Sequence, residues 1–100
     1  MLFYEGKRSV KKVAVVGGGG KGFIHLAHTL GADAIVTGDI SYSVVREEQP
    51  FGITMIDAGH FGTEKICVDA FAEAIKEKFG IDAVRFYDTD PCKIVTPLNI

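Results

Sequence analysis

The sequence predicts an α/β domain in which helices pack against a mostly parallel or mixed four-stranded sheet. Short apolar runs of the length of buried strands alternate with longer segments whose apolar residues recur at helical spacing. The composition is globular, with 47% apolar and 24% charged residues. A chain of 100 residues is therefore expected to form a single small domain, residues 1–100, with a core at about 12–95.

Four strands are expected, because four runs are rich in β-branched or aromatic residues and are bounded by charged residues or glycines. They are 13–16, 34–37, 53–57 and 83–87, with the sequences VAVV, AIVT, ITMID and AVRFY. The tail after the last run contains two prolines, so an extended edge or a loop is expected there.

Three helices are expected between and after these strands. The first has four apolar residues at helical spacing, Phe23, Leu26, Ala27 and Leu30. Gly31 is expected to end it. The second helix, SYSVVREEQ, is stopped by Pro50, and Ser41 or Asp39 is its expected N-cap.

The third helix is expected to run from about residue 60 to 79, with the stretch DAGHFGTEK at its start. Its predicted apolar stripe is Val68, Phe71, Ala72, Ile75 and Phe79. At 100° per residue, His60 lies about 20° from Phe71, and Glu64 lies about 20° from Ile75. Both polar side chains are therefore predicted to face inward.

His60 and Glu64 are the first candidate site. Residues four apart on a helix have Cβ atoms about 5–6 Å apart, so the two side chains can converge on a divalent ion. An imidazole nitrogen with a carboxylate oxygen suits zinc, iron, manganese or a similar ion. The site would lie at the C-terminal end of a strand, where α/β folds place their ligands. The alternative is structural: Glu64 complements the helix dipole and accepts a hydrogen bond from His60.

The glycine run of VAVVGGGGKG is the second candidate site. Gly17, Gly19 and Gly22 fit the spacing G-x-G-x-x-G between a strand and a helix, and Asp39 ends the next strand, where a ribose-binding acid would lie. These glycines are anion- or phosphate-binding candidates. The alternative is a tight strand-to-helix turn against crowded backbone.

The remaining polar residues suggest no further site. His25 and His28 lie at the margins of the first helix's apolar stripe and are expected to be partly exposed. Cys67 and Cys92 lack C-x-x-C spacing and are expected to be reduced.

Charge and hydropathy argue against a nucleic-acid-binding protein and against a membrane protein. There are 11 basic and 13 acidic residues, and the pI is about 5.8. Without an excess of positive charge, nucleic acid is not the expected partner. No apolar run approaches the ~20 residues of a membrane span, and none forms the apolar core of a signal peptide. We therefore expect no membrane partner and a cytoplasmic location.

Two motifs, GADAIVTGDISY and DAGHFGTE, carry a resemblance to a known family. From about Val13 into the tail DTDPCKIV, the sequence resembles the C-terminal region of the Nif-three-like proteins, the GTP cyclohydrolase I type 2 homologues of bacteria. The resemblance implies one repeat of a fold built from two intertwined repeats with a mixed sheet.

The same resemblance implies a metal site. In that family the His and Glu of the last motif bind a pair of divalent ions, and the matching positions here are His60 and Glu64. The TGD segment, Thr37, Gly38 and Asp39, maps to the edge of the pocket, which makes these residues candidates to orient a metal ligand or to contact the substrate. A His-His pair and a further Asp complete the family's ligand set, and no HHP segment occurs in this sequence. Ser43 stands where many members carry His.

The predicted function is thus a divalent-metal-binding half-domain related to metal-dependent hydrolases. Hydrolysis would require a complementary N-terminal segment to complete the site, and a lone repeat is expected to form a homo-oligomer. Two alternatives remain: a non-catalytic oligomeric scaffold module, or a nucleotide-binding module that uses the glycine run.

Overall fold

The computed structural model describes residues 1–93 and shows an α/β fold. Its strands are β1 (Leu2–Tyr4), β2 (Val13–Gly19), β3 (Ala34–Gly38) and β4 (Thr54–Asp57). Its helices are α1 (Ile24–Thr29), α2 (Tyr42–Glu48) and α3 (His60–Phe79). Short 3₁₀ turns at Lys21–Phe23 and Gln49–Phe51 precede α1 and follow α2. The predicted helices are all present, and α3 has the bounds that its pattern indicated.

The four strands form one mixed sheet in the order β1-β4-β3-β2, which confirms the predicted fold class. β2, β3 and β4 are parallel, and β1 is antiparallel to β4. The two parallel neighbours bury β3 in the middle of the sheet. The carboxyl ends of β3 and β4 therefore lie side by side, and the loops that follow them are neighbours.

The predicted fourth strand, 83–87, is wrong. The described residues after Gly80 form no strand, and the edge of the sheet at β4 is occupied by β1, which was not predicted from the sequence. AVRFY has strand propensity, but a strand exists only through hydrogen bonds to a neighbour. Arg85 of this segment instead donates to Asp69 at 2.8 Å and to Glu73, both on α3. β1 is three residues long, too short for an alternating pattern to show.

The core lies between the sheet and the helices of the first two-thirds of the chain. Its largest fully buried side chains are Ile24, Ile35, Ile53, Met55 and Thr37. In α1 the buried residues are Ile24, Ala27 and His28. Of the apolar stripe identified on this helix, only Ala27 is buried, and Phe23, Leu26 and Leu30 are 49–67% exposed. Ser41 is the N-cap residue of α2, but its side chain makes no capping bond.

The stripe predicted on α3 is largely uncovered. Ala72 is the only buried residue of this helix, and Phe71 and Phe79 are each about two-thirds exposed. Likewise, the prediction that His60 and Glu64 face inward is wrong, because their side chains are 48% and 57% exposed. Periodicity places residues on a common face, but it does not supply a surface that covers that face.

The chain contains two compact units. The first, residues 1–66, holds the sheet, α1, α2 and the start of α3; the second begins at Cys67. The predicted core of 12–95 omits β1. Residues 94 and 95 of that core, and the end of the proline-containing tail, lie outside the described part of the chain. Within residues 1–93, no helix has both the length and the apolarity that crossing a membrane requires.

A bulge in β2 brings the glycine run against β3. Between the pairs Val15–Val36 and Gly19–Gly38, β2 advances four residues while β3 advances two, so the ladder is interrupted. The hydroxyl of Thr37 replaces the missing ladder bonds: it donates to Gly18 O at 3.1 Å and accepts from Gly20 N at 2.8 Å. Both backbone groups are thus satisfied inside the protein.

This packing leaves no room for a side chain at Gly20. A Cβ there would lie 2.7 Å from the Val16 side chain and closer still to Thr37 Oγ1. We expect Gly20→Ala to lower the free energy of unfolding by about 1–3 kcal/mol through overpacking. Gly22→Ala is the control, since a Cβ there has nothing within 4 Å. Urea unfolding of both variants measures the difference, and equal stabilities would contradict the packing described.

Candidate functional site

Three ionisable side chains meet at the carboxyl ends of β3 and β4. The His60 ring lies between two carboxylates: its Nδ1 is 2.7 Å from Asp39 Oδ2, and its Nε2 is 3.0 Å from Glu64 Oε1. The side chains of His60, Asp39 and Glu64 are 48%, 65% and 57% exposed, so the cluster is open to solvent in this chain. The structure therefore brings together the two predicted metal ligands and Asp39, which was predicted to lie beside them.

The backbone that follows each strand places these side chains. Asp39 comes directly after β3 and has φ of 56°, the one left-handed non-glycine residue among residues 1–93. Asp tolerates the left-handed backbone region better than most residues do. In this conformation the Asp39 side chain contacts His60. His60 opens α3 three residues after β4 ends at Asp57, so the adjacent ends of two parallel strands determine the meeting point.

Asp57 ties the two loops together. Its Oδ2 accepts a hydrogen bond from Ile40 N and its Oδ1 accepts one from Gly59 N, each at 3.0 Å. One carboxylate therefore holds both the segment that carries Asp39 and the turn that leads to His60. No role for Asp57 was predicted from the sequence, although an acid at a strand end followed by Ala-Gly is a signal for such a turn.

Thr63 attaches the glycine run to the first turn of α3. Its hydroxyl accepts a hydrogen bond from Gly18 N at 2.8 Å and donates to Gly59 O at 2.8 Å. Nothing in the sequence distinguishes this threonine from an ordinary helix residue. The contact brings the backbone of β2 beside the side chains of His60 and Glu64.

Gly18 leaves space beside the two candidate ligands. Its φ is +75°, and a Cβ there would overlap Glu64 Oε1 and lie 3.2 Å from His60 Nε2. Only glycine adopts this φ readily and also lacks the Cβ that would overlap Glu64. The absence of a side chain keeps the Nε2 and Oε1 atoms accessible, and the set of one imidazole and one carboxylate suits a zinc-type or manganese-type ion. The residues present therefore fit the metal that the sequence motif suggests.

The other predicted site residues have structural contacts. Thr37 is fully buried and its hydroxyl is used by the glycine run, so it does not face the open cluster. Gly38 is buried, and a Cβ there would lie 2.5 Å from His60 N, so it permits the close approach of α3.

The glycine run is not a separate loop before a helix. Gly17 and Gly19 belong to β2, and Gly22 lies in a 3₁₀ turn before α1. The amides of Gly18 and Gly20 donate to Thr63 and Thr37. Anion binding by Gly17, Gly19 and Gly22 stays a prediction, and the described contacts favour the packing role.

The two carboxylates affect the protonation of His60. The hydrogen bond to Asp39, followed by the charge of Glu64, raises the pKa of the His60 imidazole above its ordinary value of 6.5. With Nδ1 held by a carboxylate, Nε2 is the nitrogen directed toward Glu64. Metal-binding histidines are commonly oriented in this way by an acid on the other ring nitrogen.

A sequence model of the family Duf34/NIF3 (NGG1p interacting factor 3) matches residues 1–92. This chain belongs to the Duf34/NIF3 family. A relative from Haemophilus influenzae, "GTP cyclohydrolase 1 type 2 homolog", is 34% identical over 86 residues, which cover 86% of this chain and 34% of the relative. A relative of the same name from Pyrococcus horikoshii is 40% identical over 81% of this chain and 32% of its own length. The chain thus spans about a third of the length of these relatives.

Solved structures of the Duf34/NIF3 family share the fold. The protein TTHA1606 from Thermus thermophilus superposes with a TM-score of 0.69 and 36% identity, over 89% of this chain and 36% of its own. A Bacillus cereus protein related to NIF3 superposes with a TM-score of 0.69 and 34% identity, over 83% of this chain and 24% of its own. The mixed sheet with its helices is therefore one part of a larger family fold.

A second polar cluster in this Duf34/NIF3 chain contains neither His60 nor Glu64. His25, His28 and Glu48 have potential ligand atoms that all lie within 4.8 Å of one another, the only such group of three in the described part of the chain. The expectation that His28 is partly exposed is wrong, since it is 9% exposed and 2.7 Å from Glu48. The i, i+3 spacing of the histidines is visible in the sequence, but the arrival of Glu48 from α2 is not.

The raised pKa of His60 leads to a testable prediction for the metal-free protein. We expect the His60 ring to titrate above 6.5 in an NMR pH series, and we expect Asp39→Asn to lower that pKa. Since the folded state favours the protonated ring, these contacts stabilise the fold below about pH 6.5, and the contribution is lost as pH rises through the raised pKa.

Asp33→Asn is the control for this titration. Asp33 accepts hydrogen bonds from Lys11 N and Lys12 N at the other end of the strands, so its loss removes a carboxylate without touching His60. A His60 pKa at or below 6.5, or one unchanged in Asp39→Asn, would contradict the geometry of the cluster.

Proposed function

We propose that His60 and Glu64 are two ligands of a divalent metal centre and that Asp39 orients the His60 ring. The observation that supports this most strongly is the separation of 3.0 Å between His60 Nε2 and Glu64 Oε1. Two atoms bound to one ion at ~2.1 Å lie ~3.0 Å apart at a right angle and ~3.4 Å apart at the tetrahedral angle. His60 Nε2 and Glu64 Oε1 are therefore already about as far apart as two ligand atoms bound to one ion.

A direct hydrogen bond between the two side chains has the same length, so the surroundings must decide between the two interpretations. Asp39 already satisfies Nδ1, Gly18 leaves space beside Nε2, and both side chains are about half exposed. Asp39 reaches the ring from a φ of 56°, a left-handed conformation that is uncommon for a residue other than glycine and that clusters at functional sites. These features together favour a site that admits an ion.

Two protein ligands leave the coordination of an ion incomplete. Closed structural zinc sites bind with roughly 10–16 kcal/mol, and a site that depends on water for its remaining positions binds far more weakly. Because this chain spans about a third of its relatives, we propose that further ligands come from a complementary segment or from a second copy of the chain.

The proposed activity of the completed site is divalent-dependent hydrolysis. A bound divalent ion supplies Lewis-acid polarisation and lowers the pKa of water. In this chain Glu64 and His60 would position that ion, while Asp39 holds the ring through Nδ1. The relatives are described as homologues of a GTP cyclohydrolase, so GTP is the first substrate to test once the site is complete.

Zinc binding at His60 can be measured for this site separately, because NMR spectra that correlate ring nitrogens with ring protons resolve each histidine. We expect zinc to shift the His60 ring nitrogen signals in the wild type. We expect Glu64→Gln to weaken that binding at least ~10-fold, since loss of even an outer-shell partner costs 10–100-fold at metal sites.

Glu77→Gln is the matched control, an exposed carboxylate on the same helix. It should leave the zinc affinity at His60 unchanged. Unshifted His60 signals at millimolar zinc, or equal affinities in the wild type and Glu64→Gln, would show that the pair is an ordinary surface hydrogen bond.

We further propose that the isolated chain associates through an apolar face between β2 and α1. This face is lined by Ala14, Val16, Phe23, Leu26, Ala27 and Leu30. Leu26 and Leu30 are 49% and 67% exposed, which is unusual for large apolar side chains grouped on one surface. A second copy of the chain would cover the face in solution.

Introducing a charge on this face tests the association. We expect light scattering to show a dimer or larger assembly of the wild type at high micromolar concentration. Leu30→Glu should shift it toward monomer, because a carboxylate on that face would lose its water in the interface. Val10→Glu is the control, at an exposed position that does not line the face. A monomeric wild type would rule out the association.

A further inference from the structure

A compact cluster of two histidines and a glutamate lies at the junction of α1 and α2. His25 and His28 are one helical turn apart on α1, and Glu48 is the last residue of α2. Glu48 Oε2 is 2.7 Å from His28 Nε2 and 3.4 Å from His25 Nδ1. One carboxylate oxygen therefore faces a nitrogen of each ring.

The cluster is buried on one side and open on the other. The side chains of His28 and Glu48 are 6% and 12% exposed, whereas that of His25 is 64% exposed. Burial of two polar side chains fixes their positions, and the exposed His25 leaves a route for an ion and its water. This combination of rigid inner ligands with an open outer side resembles a metal site more than a fully enclosed hydrogen-bonded pair.

Aromatic contacts hold the two rings in place. The Phe51 ring stacks on His28 with centroids 4.5 Å apart and an interplanar angle of 17°. The same ring contacts His25 edge-on at 5.5 Å, and the two imidazoles contact each other at 4.6 Å. The direction of each candidate nitrogen is thus set by packing as well as by Glu48, which reduces the rearrangement needed for ligation.

The distances suit a tetrahedral ion after a small adjustment. Ligands bound at ~2.1 Å lie ~3.4 Å apart at the tetrahedral angle, the separation already found between His25 and Glu48. The shorter His28–Glu48 distance of 2.7 Å would open by roughly 0.7 Å when an ion replaces the hydrogen-bonding proton. Two imidazoles with one carboxylate form a donor set suited to zinc, whereas magnesium and calcium prefer oxygen ligands.

We propose that His25 Nδ1, His28 Nε2 and Glu48 Oε2 form a zinc-type divalent cation site with one position open to water. The site is separate from His60 and Glu64 and does not depend on the function proposed for them. An ion bound there links α1 to the end of α2, so it stabilises the folded first unit by an amount that rises with the logarithm of the ion concentration above the Kd.

Zinc titration with NMR detection of the individual histidine rings tests the site. We expect zinc to shift the ring nitrogen signals of both His25 and His28 and to raise the midpoint of thermal unfolding. His25→Ala should weaken this binding at least ~10-fold and reduce the thermal shift. Because His25 is exposed, this variant keeps the buried His28–Glu48 pair and the fold.

Two further variants distinguish zinc bound at this cluster from zinc bound at His60. Glu48→Gln keeps a hydrogen-bonding partner for His28 but removes the anionic ligand, so it should also weaken binding. His60→Ala should leave the His25 and His28 shifts unchanged. Zinc that shifts only His60 would overturn this inference and leave the proposed function standing, whereas zinc that shifts only His25 and His28 would do the reverse. Equal affinity in the wild type and His25→Ala would also overturn it.

Discussion

The bulge of β2 against β3 is the constraint on which the candidate site depends. By inserting two extra residues between its ladder pairs, β2 leaves backbone groups of the glycine run without ladder partners. The buried hydroxyl of Thr37 and the hydroxyl of Thr63 on α3 satisfy them. Since an unsatisfied buried backbone group costs about 1–3 kcal/mol, these two hydroxyls hold β2, β3 and α3 together.

This close packing determines which side chains reach the surface where β3 and β4 end. α3 begins against the backbone of Gly38 and beside that of Gly18, so the side chains of its first turn emerge where β3 and β4 end. Asp57 holds both connecting loops, and Asp39 reaches the His60 ring. The structural residues are thus buried or half-buried, whereas the candidate ligands are exposed.

Local patterns in the sequence were sufficient for much of this fold. β-branched runs located β2, β3 and β4, and helical spacing with Gly80 beyond it located α3. The motif DAGHFGTE also indicated the family. These features are encoded within a few neighbouring residues, where propensity and period act directly.

What the sequence did not reveal depends on contacts between distant residues. The run 83–87 has strand composition, but whether it pairs depends on a neighbour that no local pattern specifies. The stripe on α3 was visible, while the surface needed to bury it was not. Thr37, Thr63 and Asp57 act through bonds that span 19, 45 and 17 positions, and the approach of Glu48 to His28 spans 20.

The central claim, that His60 and Glu64 share a divalent ion, is tested most directly by anomalous diffraction from crystals of this chain soaked in manganese or zinc. We expect an anomalous peak within bonding distance, ~2.0–2.3 Å, of both His60 Nε2 and Glu64 Oε1, with Asp39 still on Nδ1. A saturating soak that leaves this position without a peak, or a peak that persists in His60→Ala, would contradict the claim.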